Sequence, residues 1–214
     1  MFINIFNINV LIFKDTYQEI NKPSKGLYHE KGSKFISYCY PIYSDADIKE
    51  KIDNIKRIEN SANHYCYAYV MNIDKSAHKV HDDGEPSSTA GKPILGQINS
   101  NDLTNILIVV VRYFGGVKLG INGLIRSYKN AAKDGINNAN IITKHIKEIY
   151  SLKFKYEQMN NVMMIIKEYK LEIIDRDLNI DSSITVKIPK NISDTVVKRL
   201  KENYSVIIKY LKTI

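Results

Sequence analysis

The segment Ile106-Leu107-Ile108-Val109-Val110-Val111 is an unbroken apolar run rich in β-branched residues. It is too short for an ordinary buried helix and fits a central strand covered on both faces. The run stops at Arg112-Tyr113-Phe114, and Gly115-Gly116 follow at once. After Gly120 a long helix is expected from about Asn122 to about Asn140. Leu124, Ile125, Tyr128, Ala132 and Ile136 form its apolar stripe, while Arg126, Lys129 and Lys133 line another face. One side packs and the other is basic.

Ahead of the run, a loop around Asn21 to Gly26 leads to a strand over Lys34–Tyr40 that Pro41 ends. Ser44 then caps a helix to about Asn60, with Ile48, Ile52 and Ile55 on its buried face. His64–Met71 reads as a strand, Lys79–Gly91 as turns, and Lys92–Ile98 as a short helix that Pro93 can open. Beyond Ile149 the pattern changes. Leu152, Phe154 and Tyr156 alternate with Lys153 and Lys155, a helix carries Met159, Val162, Met163 and Ile166, and a strand covers Leu171–Ile174. The sequence then repeats this order: a strand with Ile184, Val186 and Ile188, a helix from a Ser193 cap with Val196, Val197 and Leu200, and a strand over Ser205–Tyr210. This β-α-β-β-α-β order is the ferredoxin-like split motif, in which both helices cover one sheet face. The other face, by parity, carries Lys153, Lys155, Thr185 and Lys187. It lacks aromatic residues for stacking bases, so it reads either as an electrostatic RNA contact or as a solvated surface. The expected class is α+β, with domains at 1–145 and 146–214.

Apolar residues at 44% and charged residues at 25% in 214 residues describe a folded globular chain. Lysine and arginine number 31 against 23 acidic residues, a formal charge of +8 that favours polyanionic partners. The arginines are Arg57, Arg112, Arg126, Arg176 and Arg199, so the excess is lysine, accompanied by abundant isoleucine and asparagine; biased composition explains it equally well. Cys39 and Cys66 sit in strand-like segments without a CxxC, which predicts two buried thiols in a reducing compartment. Met1–Phe13 is apolar, but it has no basic leader, Asn4, Asn7 and Asn9 interrupt it, and it is too short to span a bilayer. A strand or an extension is expected there, in a cytoplasmic, monomeric protein with no membrane partner.

Two stretches exceed what packing requires: Asp82-Asp83-Gly84-Glu85-Pro86-Ser87-Ser88-Thr89-Ala90-Gly91-Lys92-Pro93 and Val110-Val111-Arg112-Tyr113-Phe114-Gly115-Gly116-Val117-Lys118-Leu119-Gly120. With His64-Tyr65-Cys66-Tyr67-Ala68 and Gly123-Leu124-Ile125-Arg126-Ser127-Tyr128, they closely resemble the signature of the Impact family, including its bacterial YigZ-type members. Lys31–Asn140 is similar to the family's Impact domain and Glu148–Leu211 to the C-terminal domain of the YigZ-type branch. The resemblance implies a first domain of the type seen in domain 2 of a small-subunit ribosomal protein and in domain IV of elongation factor G, followed by a domain V-like ferredoxin fold. Ser88 stands where the family usually has glycine, and Ile121-Asn122 replaces a smaller pair before Gly123; Asn122 accepts a left-handed turn. The resemblance also implies a role in translational control. Eukaryotic members oppose activation of an initiation-factor kinase and carry an added RWD domain for it, for which this chain has no room; a more direct ribosome or RNA contact is the alternative mechanism within the same class.

Glycine, serine and threonine before a helix present free N–H groups and hydroxyls, which suits an anion. Ser87, Ser88, Thr89, Gly91 and Lys92 are therefore candidates to hold a phosphate, with Arg112 and Lys118 entering from the strand end. The binding surface is expected to continue over Arg126, Lys129 and Lys133, and over Lys153, Lys155 and Lys187 of the second domain. A structural role explains the same loops: Asp83, Gly84, Glu85 and Pro86 brace the turn at Tyr113, Phe114, Gly115 and Gly116, Arg112 satisfies the acids, and Gly120 and Gly123 serve turns. The expected partner is the ribosome, RNA or a translation-associated protein, with no cofactor, no metal and no catalytic residue. The rival is an enzyme that uses Asp82, Asp83 and Glu85 with a metal on a phosphorylated or nucleotide substrate. His64 with Cys66, and His78 with His81, have spacings that ordinary core and surface roles also explain.

Overall fold

The computed structural model describes residues 15–179, 181–203 and 205–214, so the strand or extension expected at Met1–Phe13 lies outside the described residues. The chain forms two compact units, one spanning Tyr17–Lys144 and the other His145–Ile214 with Asp15 and Thr16. Strand β1 (Thr16–Ile20) pairs with β7 (Ile141–His145) in a two-stranded ribbon. The main sheet of the first unit has the order β2 (Ser24–Glu30), β3 (Ser33–Pro41), β6 (Ile106–Tyr113), β4 (His64–Met71), β5 (Ala77–His81), each neighbour antiparallel.

The apolar run is the middle strand of this sheet, and its parity divides it between two cores. Ile106, Ile108 and Val110 pack with residues of α2 (Gly91–Ser100) and α3 (Gly120–Asn137), whereas Leu107, Val109 and Val111 pack with Ile48 and Ile55 of α1 (Asp45–Ile58). All of these run residues are fully buried, each contributing about 1.5–3 kcal/mol relative to exposure. Ser44 caps α1 as expected, its hydroxyl accepting from the Asp47 N–H at 3.2 Å.

Two edge strands replace what the sequence suggested were loop and turn. β2 starts at Ser24, inside the loop expected to run to Gly26, and β5 covers Lys79–His81 at the head of the turn-rich stretch. Edge strands leave many side chains in solvent, here Lys25, Leu27, His29, His78 and Lys79, so no apolar period marks them. Helix α3 covers the edge of β2: the Leu27 N–H donates to the Asp134 carboxylate at 2.8 Å, and the Asn138 amide donates to the Lys25 carbonyl at 3.0 Å. That approach requires Gly26, because a Cβ there would fall 2.2 Å from the Gly135 nitrogen.

The second unit has the strand order β11 (Ile207–Thr213), β8 (Lys147–Lys155), β10 (Asp181–Pro189), β9 (Glu172–Asp177), antiparallel throughout. Val162, Ile165 and Ile166 of α4 (Met159–Glu168) and Val196 and Leu200 of α5 (Lys190–Asn203) share one core with Leu152, Phe154, Ile184, Val186 and Ile188. The α+β class and the ferredoxin-like order are those expected. Ser193 is not a cap, however. Pro189 closes β10 directly into α5, which starts at Lys190, and the buried Ser193 hydroxyl donates back to the Lys190 carbonyl at 3.1 Å. No described helix is long and apolar enough to cross a membrane.

Gly26→Ala should destabilise the first unit by about 1–3 kcal/mol, the usual cost of overpacking, because the atom it meets is backbone. Urea unfolding reads this as a lower midpoint at unchanged slope; an unchanged midpoint would show that α3 does not seat on β2 this closely.

Candidate nucleic-acid interface

The parity of β6 points Arg112 into the same core as Ile108 and Val110, where an isolated cation would be costly. Glu85 supplies the counter-charge. Arg112 Nη1 donates to Glu85 Oε1 at 2.6 Å, with side-chain exposures of 7% and 4%, and the Tyr128 hydroxyl of α3 donates to the same oxygen at 2.8 Å. The guanidinium also lies 5.5 Å from the ring centres of both Phe35 and Phe114. One ion pair thus ties the acidic loop, the central strand and the long helix together.

The loop closes on itself around Asp82. Its carboxylate accepts from the backbone N–H groups of Ser88 at 2.9 Å, Ala90 at 3.0 Å and Gly91 at 2.8 Å, the last two at the start of α2. Burial alone would push this carboxyl up, but the three amides and nearby His81 outweigh it and hold it below the usual aspartate value. Asp83 and Gly84 have φ of +43° and +82°, and the Glu85 N–H donates to the Asp82 carbonyl at 2.9 Å, the pattern of a type I′ turn. Asp83 accepts from the Tyr65 N–H at 2.7 Å, and its carbonyl from His64 Nδ1 at 2.8 Å. Ser88 has φ of +67°, a conformation that favours glycine.

These contacts correct the expected phosphate cradle. Ser88 and Gly91 give their amides to Asp82, and the buried Thr89 gives its hydroxyl to the Pro86 carbonyl at 2.7 Å. Ser87, Pro86 and Lys92 remain exposed, but the helix terminus between them is already satisfied by the chain's own carboxylate. Arg112 is likewise withdrawn from any surface role by Glu85. Asp82, Asp83 and Glu85, the carboxylates of the metal-enzyme alternative, each have internal partners as well, and the described residues contain no cluster of three metal-ligating side chains. Cys66 is buried against the Asp82 carbonyl and the Tyr128 hydroxyl, and burial pushes its thiol up; burial pushes the Cys39 thiol up to about 12. His78 and His81 lie on β5, and His81 stacks on Tyr67 at 5.0 Å.

The second glycine turn does meet the first. Residues of both line a cleft of about 420 Å³ at the end of β6, bounded by His64, Glu85, Pro86, Arg112, Phe114, Lys118 and the start of α3. Tyr113 points to the other core, its hydroxyl donating to Glu59 at 2.5 Å. Gly115 lies against Gly32, where a Cβ would fall 1.9 Å from a backbone carbon, and Gly116 and Gly120 have φ of +85° and +68°. Asn122 takes no left-handed turn: it and Gly123 are already within α3, which starts two residues before the expected Asn122. Sequence reading missed Tyr128 as the partner of Glu85, and Leu119, Ile121 and Leu124 as cleft walls.

The candidate cations fall into two groups. Lys92, Lys118, Lys129 and Lys133 are exposed, and no described carboxylate pairs with them. Arg126 is exposed but donates to Glu30 at 2.8 Å. In the second unit Lys153 and Lys155 are exposed, whereas Lys187 is held by Glu172 at 2.6 Å, and Glu172 also takes Lys147 at 3.4 Å. The open sheet face is therefore not uniformly basic. Lys209 of β11 registers beside Ser151, while Asp175 and Asp177 of β9 register beside Thr185 and Ser183.

Removing Glu85 should strand a buried charge. Glu85→Ala is expected to cost about 3–5 kcal/mol by denaturant unfolding, with recovery in the double variant that adds Arg112→Met. A small single-variant cost, or no recovery, would contradict the pairing. Asp82→Ala should cost about 1–2 kcal/mol at neutral pH, as for other lost caps. Because the folded carboxyl titrates below its unfolded value of about 3.9, the wild-type advantage is present above about pH 4 and fades as pH falls through the folded value. Thermal melts of both proteins from pH 7 to pH 3 check this sign.

Residues 31–136 match the Impact N-terminal domain family. The chain is 34% identical over 136 residues to the IMPACT family member YvyE of Bacillus subtilis, spanning 64% of this chain and 63% of that protein. It is 30% identical over 177 residues to an IMPACT family member of Haemophilus influenzae, spanning 82% and 86%, and 28% identical over 161 residues to Escherichia coli YigZ, spanning 74% and 79%. A crystal structure of a hypothetical protein superposes with a TM-score of 0.70 at 24% identity, covering 92% of this chain and 98% of that one. With the acidic loop, the double-glycine turn and a ferredoxin-like second unit all in place, the chain belongs to the IMPACT family, in its YigZ-type branch.

Proposed function

We propose that this chain acts in translational control by binding RNA, such as that of the ribosome, through its lysine-bearing surfaces. The observation that carries the reading is the stripe on α3. Lys129 and Lys133 stand exposed one helical turn apart, Lys118 precedes the helix, and no described carboxylate neutralises them, although Arg112 and Arg126 nearby are paired. A surface that leaves several cations unpaired beside acids engaged elsewhere favours a polyanion. Lys153 and Lys155 supply a second patch of the same kind on the other unit. Membership of a family with IMPACT homologues in Dictyostelium and yeast supports the translational context. The metal-dependent enzyme has less to stand on, because each of its three carboxylates already holds the loop together.

Binding to single-stranded RNA should weaken with salt, with a logarithmic slope of about −0.7 per phosphate neutralised. The double reversal Lys129→Glu with Lys133→Glu should lower affinity and flatten that slope by roughly 1–2. Association with ribosomes that survives nuclease treatment and ignores salt would instead identify a protein partner and overturn this reading.

A further inference from the structure

The two helix N-termini at this end of the first unit differ in one respect. That of α2 is closed by Asp82, whereas that of α3 has no side-chain cap and no acidic residue in its first turn among the described residues. An unclosed N-terminus carries partial positive charge and unpaired N–H groups. By itself this indicates nothing, since water can serve such groups. Here, however, Leu119, Gly120, Ile121 and Leu124 place the helix start in the wall of the 420 Å³ cleft, a size within the range of about 300–1,000 Å³ typical of ligand pockets.

A second, independent feature lies in the same cleft. Phe114 lines it, its ring centre 5.5 Å from the buried Arg112 guanidinium that Glu85 holds. The remaining walls are chiefly apolar. Phe114 is 48% exposed there and Ile121 is 62% exposed, while Lys118 adds a cation that no described acid pairs with. The complementary ligand has a flat apolar ring joined to an anion.

Building on the RNA-binding reading, we propose that this cleft receives one unstacked nucleotide of single-stranded RNA. Its phosphate meets Lys118 and the first-turn amides of α3, and its base packs on Phe114. Glu85 does not repel the ligand, because Arg112 and Tyr128 already compensate it. The lysine stripe of α3 then carries neighbouring phosphates, so the cleft supplies the base contact that the stripe cannot make.

Fluorescently labelled single-stranded RNA and inorganic polyphosphate, a polyanion without bases, separate the two contributions. Phe114→Ser alters an exposed ring and should weaken RNA binding about tenfold, in line with loss of one stacked base, while leaving polyphosphate affinity and the salt slope unchanged. Ile121→Glu places a carboxylate where the helix terminus favours one, so the fold is kept, and it should weaken RNA binding by a similar factor. Unchanged thermal melts verify folding in both. If RNA binding survives both substitutions but falls with Lys129→Glu and Lys133→Glu, the cleft proposal is wrong and the surface reading stands. If the wild-type protein binds polyphosphate as tightly as RNA, the base contact is refuted; if it binds neither, both readings fail.

Discussion

The ion pair between Arg112 and Glu85 is the constraint on which the first unit's functional end depends. A guanidinium at the end of a core strand cannot stay unpaired, and Glu85 reaches it only because Asp83 and Gly84 adopt left-handed geometry. That geometry sets the Asp82 carboxylate beside the start of α2 and leaves Tyr128 as the second hydrogen-bond donor to Glu85. The acidic loop, the glycine turn and the long helix are therefore one connected structure. Its acids serve the fold, and its functional potential rests on the groups left over.

This arrangement changes how the motifs are read. Glycine, serine and threonine ahead of α2 have the composition of an anion cradle, yet the chain fills that cradle with its own aspartate. The same logic applies on the second unit, where Lys187 is one of the basic residues on the open face but is held by Glu172. Charge count overstates the available positive surface in both places. Among the expected contact residues, what remains is smaller: Lys92, Lys118 with the stripe of Lys129 and Lys133, and the pair Lys153 and Lys155.

Much of the fold was legible because it depends on local periodicity. The Ile106–Val111 run, the Ser44 cap and the alternation of Leu152 and Phe154 with Lys153 and Lys155 each state their environment directly. β2 and β5 were not legible, since edge strands with exposed lysine and histidine carry no apolar rhythm. Ser193 misled for another reason: a serine ahead of an apolar helix face has the same pattern inside a helix as at its cap. The fate of Arg112 was half visible. Its parity with Ile108 and Val110 aims it inward and so demands an acid, but choosing Glu85 over Asp82 or Asp83 requires the turn geometry.

The acidic loop is internally satisfied, and the open end of α3, not the closed end of α2, is the face proposed to meet the polyanion. Amide chemical-shift mapping of the whole protein during titration with single-stranded RNA tests it most directly. Shifts are expected at Phe114, Lys118 and Gly120–Asn122, continuing to Lys129 and Lys133, with Ser88, Ala90 and Gly91 undisturbed. Shifts concentrated at Ser88–Gly91, with the start of α3 unmoved, would contradict it.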